Sequence, residues 1–168
     1  MTKSILYNEF IQETLTQLPR GAFLTVKAGE TINTMTIGWG LIGYIWRMPV
    51  LMVAVRRSRF TYELMEKTDN FSVSFPLQGN LKDPLAKVGK ESGRDIDKFK
   101  EFPLTAQPGT VIESPSIGEC HLIYECQTVY KHHMDPLLLA DEIQASCYSD
   151  NDYHILYYGK IVASYLNE

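Results

Sequence analysis

Arg56-Arg57-Ser58-Arg59-Phe60-Thr61 places three guanidinium groups and two hydroxyls within six residues, and the apolar run Val50–Val55 leads directly into them. Helical spacing follows, with Phe60 and Leu64, and Thr61 and Met65, four apart. A buried strand that opens onto such a turn, with Ser58 as the helix N-cap, offers free backbone N–H groups, the positive end of a helix and forked charged donors. That set of groups suits a phosphate. A solvated basic turn is the competing reading, and the position straight after an unbroken apolar strand favours the anion site. Lys90, in a loop-rich stretch further on, is a candidate second phosphate contact.

A second stretch, Asn33-Thr34-Met35-Thr36-Ile37-Gly38-Trp39-Gly40, combines small polar side chains with a tryptophan between two glycines. Such a segment lets a backbone approach something flat and sets an aromatic ring beside it; an anchored loop is the alternative. His132-His133 with Asp135 invites a metal reading, but no third and fourth ligands fall at suitable spacing, so a polar strand end is expected and no metal. Cys120, Cys126 and Cys147 are odd in number and lack metal-type spacing, which points to reduced core thiols and a cytoplasmic protein.

The elements that must hold these groups follow from periodicity. Residues 5–18 suit an amphipathic helix ended by Pro19. Gly21–Lys27 and Thr31–Ile37 read as a hairpin about Ala28-Gly29-Glu30, and Val50–Val55 as a strand buried on both faces. A helix from Arg59 to Lys67 comes next, then an alternating strand Asn70–Phe75. Between Pro76 and Pro115 lie five of the eight prolines and four of the eleven glycines, so this stretch is loop-rich; it is either a cover over a ligand or a surface insertion. Within it a short helix is expected from Asp83 as N-cap to Val88, ended by Gly89. Ile117–Lys131 is a long strand, with Glu119, His121, Glu125 and Gln127 on the face away from Cys120, Leu122, Tyr124 and Cys126. Leu137–Tyr148 is a short helix or irregular chain, and Tyr153–Leu166 the last strand, with Gly159 at a bulge or a close approach.

Six or seven strands with hairpin connections and flanking helices describe a mainly β, antiparallel barrel in a single domain over residues 1–168. The net charge of −4 disfavours a general nucleic-acid binder, and no apolar run approaches the roughly 20 residues of a membrane span. The N-terminus carries acids and amides with no apolar signal core. Neither a GxGxxG nor a P-loop pattern occurs.

Four segments together resemble the flavin reductase-like family with the FMN-binding split barrel, especially its flavoredoxin-like branch. They are Asn33–Gly40, Arg56–Thr61, Gly89-Lys90-Glu91-Ser92-Gly93-Arg94-Asp95-Ile96-Asp97-Lys98, and His154–Val162, and the likeness runs from about Gly21 to Leu166. The resemblance implies an antiparallel split β-barrel, FMN held non-covalently near a homodimer interface, and an FMN-dependent oxidoreductase. It implies a phosphate on Arg56, Ser58, Arg59, Thr61 and Lys90, and an isoalloxazine ring along Asn33, Thr34, Met35, Thr36 and Trp39. Electrons would pass from a reduced donor such as NAD(P)H to a small molecule or a protein. A flavoredoxin-like carrier without reductase turnover and a non-catalytic FMN-binding module are the alternatives. His154 matches the family histidine five residues before the glycine of the last strand, on the donor side; Tyr153 stands where the family usually has Asp.

Overall fold

A computed structural model describes residues 2–167. The strands are β1 (Thr2–Ser4), β2 (Ala22–Ala28), β3 (Thr31–Ile37), β4 (Gly40–Ile45), β5 (Met48–Arg56), β6 (Asn70–Phe75), β7 (Ala106–Gln107), β8 (Ser116–Ile117), β9 (Leu122–His133) and β10 (His154–Asn167). The α-helices are α1 (Ile11–Gln17), α2 (Phe60–Met65), α3 (Lys82–Lys90), α4 (Lys98–Glu101) and α5 (Asp141–Cys147). The main sheet runs β3-β2-β6-β9-β10-β5-β4, antiparallel throughout, and β1 adds to the far end of β10.

The two edges of this sheet, β3 and β4, are consecutive in the chain and joined only by Gly38 and Trp39. So short a link brings the edges near one another without pairing them, and the sheet is a split barrel as expected. Its interior holds Leu24, Val26, Val53, Val55, Phe71, Val73, Tyr124 and Tyr157. A second cluster, Phe23, Leu85, Val88, Leu104, Ile117 and Ile123, lies between the outer face of the sheet and the stretch from Pro76 onward. That stretch is therefore a cover with its own apolar seam, not a loose insertion. The β5 strand is buried along Val50–Val55, with Leu51, Val53 and Val55 in the first cluster and β4 and β10 paired on either side.

Several elements depart from expectation. The first helix is shorter, because Ile5 continues from β1 and its N–H donates to the Ser164 carbonyl; α1 covers only residues 11–17, and a 3₁₀ turn follows at Leu18–Arg20. The aromatic stretch Gly40–Ile45 is a strand, turned back into β5 by Trp46 and Arg47 at φ 53° and 58°. Two consecutive left-handed residues make a tight hairpin, normally signalled by Asn or Gly, and neither is present. The α2 N-cap is Arg59, not Ser58. The α3 helix starts at Lys82 and runs through Gly89; a Cβ there would press on Thr36 at 3.3 Å, so this glycine permits close packing on β3 rather than ending the helix. The long strand begins at Leu122, and Glu125 is fully buried because residues 110–114 fold over it. Gly159 does sit at a register shift, against Phe71 and Cys126.

Candidate functional site

The split in the barrel carries two adjoining cavities. The larger, about 410 Å³, is bordered by the end of β5 and the α2 start on one side and by α3 and its following loop on the other. The smaller, about 200 Å³, runs along Thr36–Trp39 to Ala54 and His154. Met35, Arg56 and Arg59 line both, so the two form one continuous groove.

The edge strand β3 supplies one wall. Ala28 and Thr31 close a two-residue turn as a hydrogen-bonded pair, so the same parity turns the backbone groups of Asn33, Met35 and Ile37 toward β2 and those of Thr34 and Thr36 outward. The Thr34 carbonyl on this edge accepts from Lys98 Nζ at 2.9 Å. An edge strand normally invites pairing with another strand; here α3 packs over part of it, with the Thr36 hydroxyl donating to the Leu85 carbonyl at 2.6 Å.

Of the residues singled out in the sequence, Asn33, Met35, Arg56, Ser58, Arg59, Thr61 and Lys90 line the larger cavity. Thr36, Trp39 and His154 line the smaller one. Thr34 lines neither: it is fully buried, its hydroxyl accepts from Thr25 Oγ1 and donates to the Leu24 carbonyl on the outer face of the sheet, shared with Phe23 and Thr36, and its carbonyl is taken by Lys98. Asn33 is buried and its amide donates to Thr61 Oγ1 at 2.9 Å, which fixes β3 to the first turn of α2.

Arg56 holds the far wall together. Its guanidinium donates to Asp150, to the Asp152 carbonyl and to the Cys147 carbonyl, and it lies 5.3 Å from the centre of the Tyr148 ring. Ser58 Oγ donates to the Asp152 carboxylate. Arg59 remains at the cavity mouth, with one donor on the Gly89 carbonyl at 3.1 Å. Arg57 turns away to His133. The arginine cluster is thus divided by function of position: Arg56 orders the 147–152 segment, and Arg59 faces the groove.

His154 is almost fully buried, 5.2 Å from the Trp39 ring and 2.7 Å from the Tyr148 hydroxyl through Nδ1. Burial, then the nearby Arg56 charge, push its pKa down to about 4, so the ring is neutral at neutral pH. Burial also raises the Tyr148 phenol pKa, and the hydroxyl, with no other acceptor among the described residues, is assigned as the donor; the ring proton then sits on Nε2. The unfolded chain protonates this histidine near pH 6.5, whereas the native one stays neutral until about pH 4. Stability is therefore unaffected above pH 6.5 and falls as the pH drops from there to about 4, by up to roughly 3 kcal/mol from this group. His154→Gln is expected to flatten that part of the urea-denaturation pH profile, read between pH 7.5 and 4.5.

Four contributors to the site escaped sequence reasoning: Lys98, Gly93, Arg94 and the Asp150/Asp152 pair. Arg94 donates to the Ser58 carbonyl and to Glu63, tying the loop after α3 to α2. The segment Gly89–Lys98 held three of these residues in view, but nothing in its spacing marks which of them turn inward. Among the described residues, no group of three or more His, Cys, Asp or Glu side chains is placed to hold a metal. No described helix is long and apolar enough to cross a membrane.

A family model for a flavin reductase-like domain matches residues 18–168. An uncharacterized protein of Archaeoglobus fulgidus is 32% identical over 111 residues, which are 66% of this chain and 62% of that protein; the match thus spans less than two thirds of the relative's length. Among solved structures, an FMN-binding protein from Thermus thermophilus is similar at a TM-score of 0.67 and 25% identity, over 86% of this chain and 68% of that one. Flavoredoxin from Methanosarcina acetivorans is similar at a TM-score of 0.67 and 26% identity, over 86% and 67%.

Proposed function

The chain belongs to the family of flavin reductase-like domains, and on that premise we propose that it binds FMN in the groove of the split barrel and works as a redox protein. The observation that carries this reading is the joining of two unlike cavities. One is polar and lined by five cations against three carboxylates: Arg56, Arg59, Lys90, Arg94 and Lys98 against Glu91, Asp150 and Asp152. The other is flanked by the Trp39 ring and the outward backbone of β3. An anionic tail and a flat polar-edged ring fit that pair. When bound, FMN supplies the hydride and electron chemistry.

The chain's own groups have separate tasks. Arg59 and Lys90 attract the phosphate at the groove mouth. The Thr36 backbone groups meet the polar edge of the ring. His154, neutral and fixed by Tyr148, stands beside Trp39 on the side where a reduced donor such as NAD(P)H would approach. Arg56 acts indirectly, by holding Tyr148 and the 150–152 carboxylates in place.

Leu41, Tyr44, Ile45 and Trp46 are exposed on the β4–β5 hairpin, and Trp46 packs edge-on against Tyr130 and Tyr158. This apolar surface suits a second copy of the chain, and a homodimer is part of the proposal. The unpaired thiols Cys120, Cys126 and Cys147 agree with a reducing, cytoplasmic setting.

The purified protein is expected to be yellow or to become so on adding FMN, read from the visible flavin absorbance. A protein that takes up no FMN overturns the proposal. Arg59→Ala is expected to weaken FMN binding by about 1–3 kcal/mol, through loss of a charge-assisted contact. The likeness to flavoredoxin and the tyrosine at position 153 favour a second reading, an electron carrier served by a protein partner. Rapid steady-state oxidation of NADH or NADPH with free flavin as acceptor would exclude a pure carrier.

A further inference from the structure

Between the two long strands β9 and β10 the chain makes an excursion that the site leaves largely unused. From Met134 it passes through a 3₁₀ turn at Pro136–Leu138 into α5 and ends at Cys147. It is tied down at both ends. The Met134 N–H donates to the His154 carbonyl, the Cys147 carbonyl accepts from Arg56, and Tyr148 beyond it is buried. Between these ties it stands free. None of the α5 residues is buried, and Leu137 and Leu138 are 91% and 82% exposed. The turn is nonetheless fixed, since the Asp135 carboxylate accepts from the Leu137 N–H. Short helices draw most of their stability from packing of an apolar face. A helix with nothing buried, beside two bare leucines, marks a surface that meets a partner.

The barrel has a matching face. Leu41, Met52, Tyr158 and Tyr130 lie in register across β4, β5, β10 and β9. Met52 alternates with Leu51 and Val53 of the barrel interior, so this row is on the outside. Trp46 adds its ring to Tyr130 and Tyr158. The stretch from Pro76 onward shields β2 and the start of β9, whereas Leu41, Trp46 and Tyr130 stay exposed. The two surfaces differ in charge. Residues 134–147 carry Asp135, Asp141 and Glu142 and no lysine or arginine. The strand face carries exposed Arg47 and Lys160, and no acid occurs between Thr31 and Tyr62 or within β10.

We propose that residues 134–147 are a docking arm for a second copy of this chain. The arm seats Leu137 and Leu138 on that copy's face of Leu41, Trp46 and Tyr130, and sets its acids against Arg47 and Lys160. This deepens the homodimer part of the functional reading and rests on that part alone. Strand direction carries the geometry. The arm is rooted where His154 pairs with Arg56, at one end of β5; the Trp46-Arg47 tip precedes Met48, at the other end. A two-fold axis normal to the sheet between those ends lays each arm along the other copy's face, with its acids toward the basic tip. The contact is then made twice, as a two-fold interface requires. Aromatic anchors inside a charged rim are the usual make-up of such a contact.

The test is sedimentation velocity of the full chain over a dilution series, in which the wild type should be a dimer. Leu137→Ser combined with Leu138→Ser should raise the dimer dissociation constant at least about a hundredfold. The far-UV spectrum should not change, because both side chains lie almost wholly in solvent. Arg47→Glu should weaken the dimer about tenfold, and adding Asp141→Lys and Glu142→Lys to it should restore association. Hydrogen exchange needs no variant: amides of residues 137–147 and of 41–46 should both gain protection as the wild-type concentration rises. A chain that is monomeric at every concentration overturns the homodimer reading and this inference together, and leaves the FMN proposal standing. A dimer that ignores the leucine pair and the charge exchange, or that protects 41–46 without the arm, overturns this inference alone.

Discussion

Gly93→Val is expected to cut FMN affinity about tenfold to a hundredfold while the barrel stays folded. Gly93 lies in the turn after α3, where even a Cβ atom would overlap the Asn33 carboxamide and would stand 2.7 Å from Phe60 Cδ1. Neither neighbour has room to yield. The Asn33 amide is committed to Thr61, and Phe60 opens α2 with Arg94 lying 5.7 Å from its ring centre. The loop itself must therefore lift from β3 and α2. Lifting it carries away Ser92 and Arg94 and withdraws one wall of the cationic cavity. The barrel interior lies elsewhere, so the overpacking is expected to lower stability by only about 1–3 kcal/mol. Flavin titration and a denaturation curve on the same variant separate the two effects. Unchanged flavin affinity would show that the loop takes no part in binding.

Glu125→Leu is expected to be the more damaging change to the fold, with a loss of about 3–5 kcal/mol in urea denaturation. Glu125 is wholly buried in the middle of β9. Its carboxylate accepts from the Thr110 and Val111 N–H groups at 2.7 and 2.8 Å, from the Thr110 hydroxyl, and from the Tyr165 phenol at 2.9 Å. Burial first, and the carboxylate beside it, raise the pKa of that phenol, so it stays protonated and donates. Leucine removes every acceptor and leaves the donors facing an apolar side chain, each costing about 1–3 kcal/mol unless water reaches it. Glu125→Gln retains the shape and one acceptor oxygen and is expected to cost less than half as much. Equal stability of Glu125→Leu and wild type would mean that residues 110–114 are not held through this carboxylate.

Glu125 also shows where sequence reasoning stops. Its place in a long alternating strand was legible, and so was the face it shares with Gln127, although Glu119 precedes the strand. Alternation says which residues share a face, but not what covers that face. The covering segment is joined by contacts far apart in the chain, and no local pattern announces them. The hairpin at Trp46-Arg47 was hidden for a related reason: its left-handed residues are held by the pairing of β4 with β5, overriding their own preferences.

For the site, residue type and spacing by themselves determined that an apolar strand delivers a cluster of arginines and hydroxyls to the start of a helix. They also placed a tryptophan beside a polar, small-residue strand segment, because strand and helix periods are local properties of the chain. Only the tertiary structure divided that cluster, turning Arg57 toward His133, committing Arg56 to residues 147–152 and leaving Arg59 at the groove. It also committed the Thr34 hydroxyl to Thr25 and the Leu24 carbonyl, and brought Lys98 to the Thr34 carbonyl from 64 residues away. The direction of a side chain and the partner of a buried charge depend on which elements pack together, and that is settled by burial of the whole chain rather than by any one stretch of it.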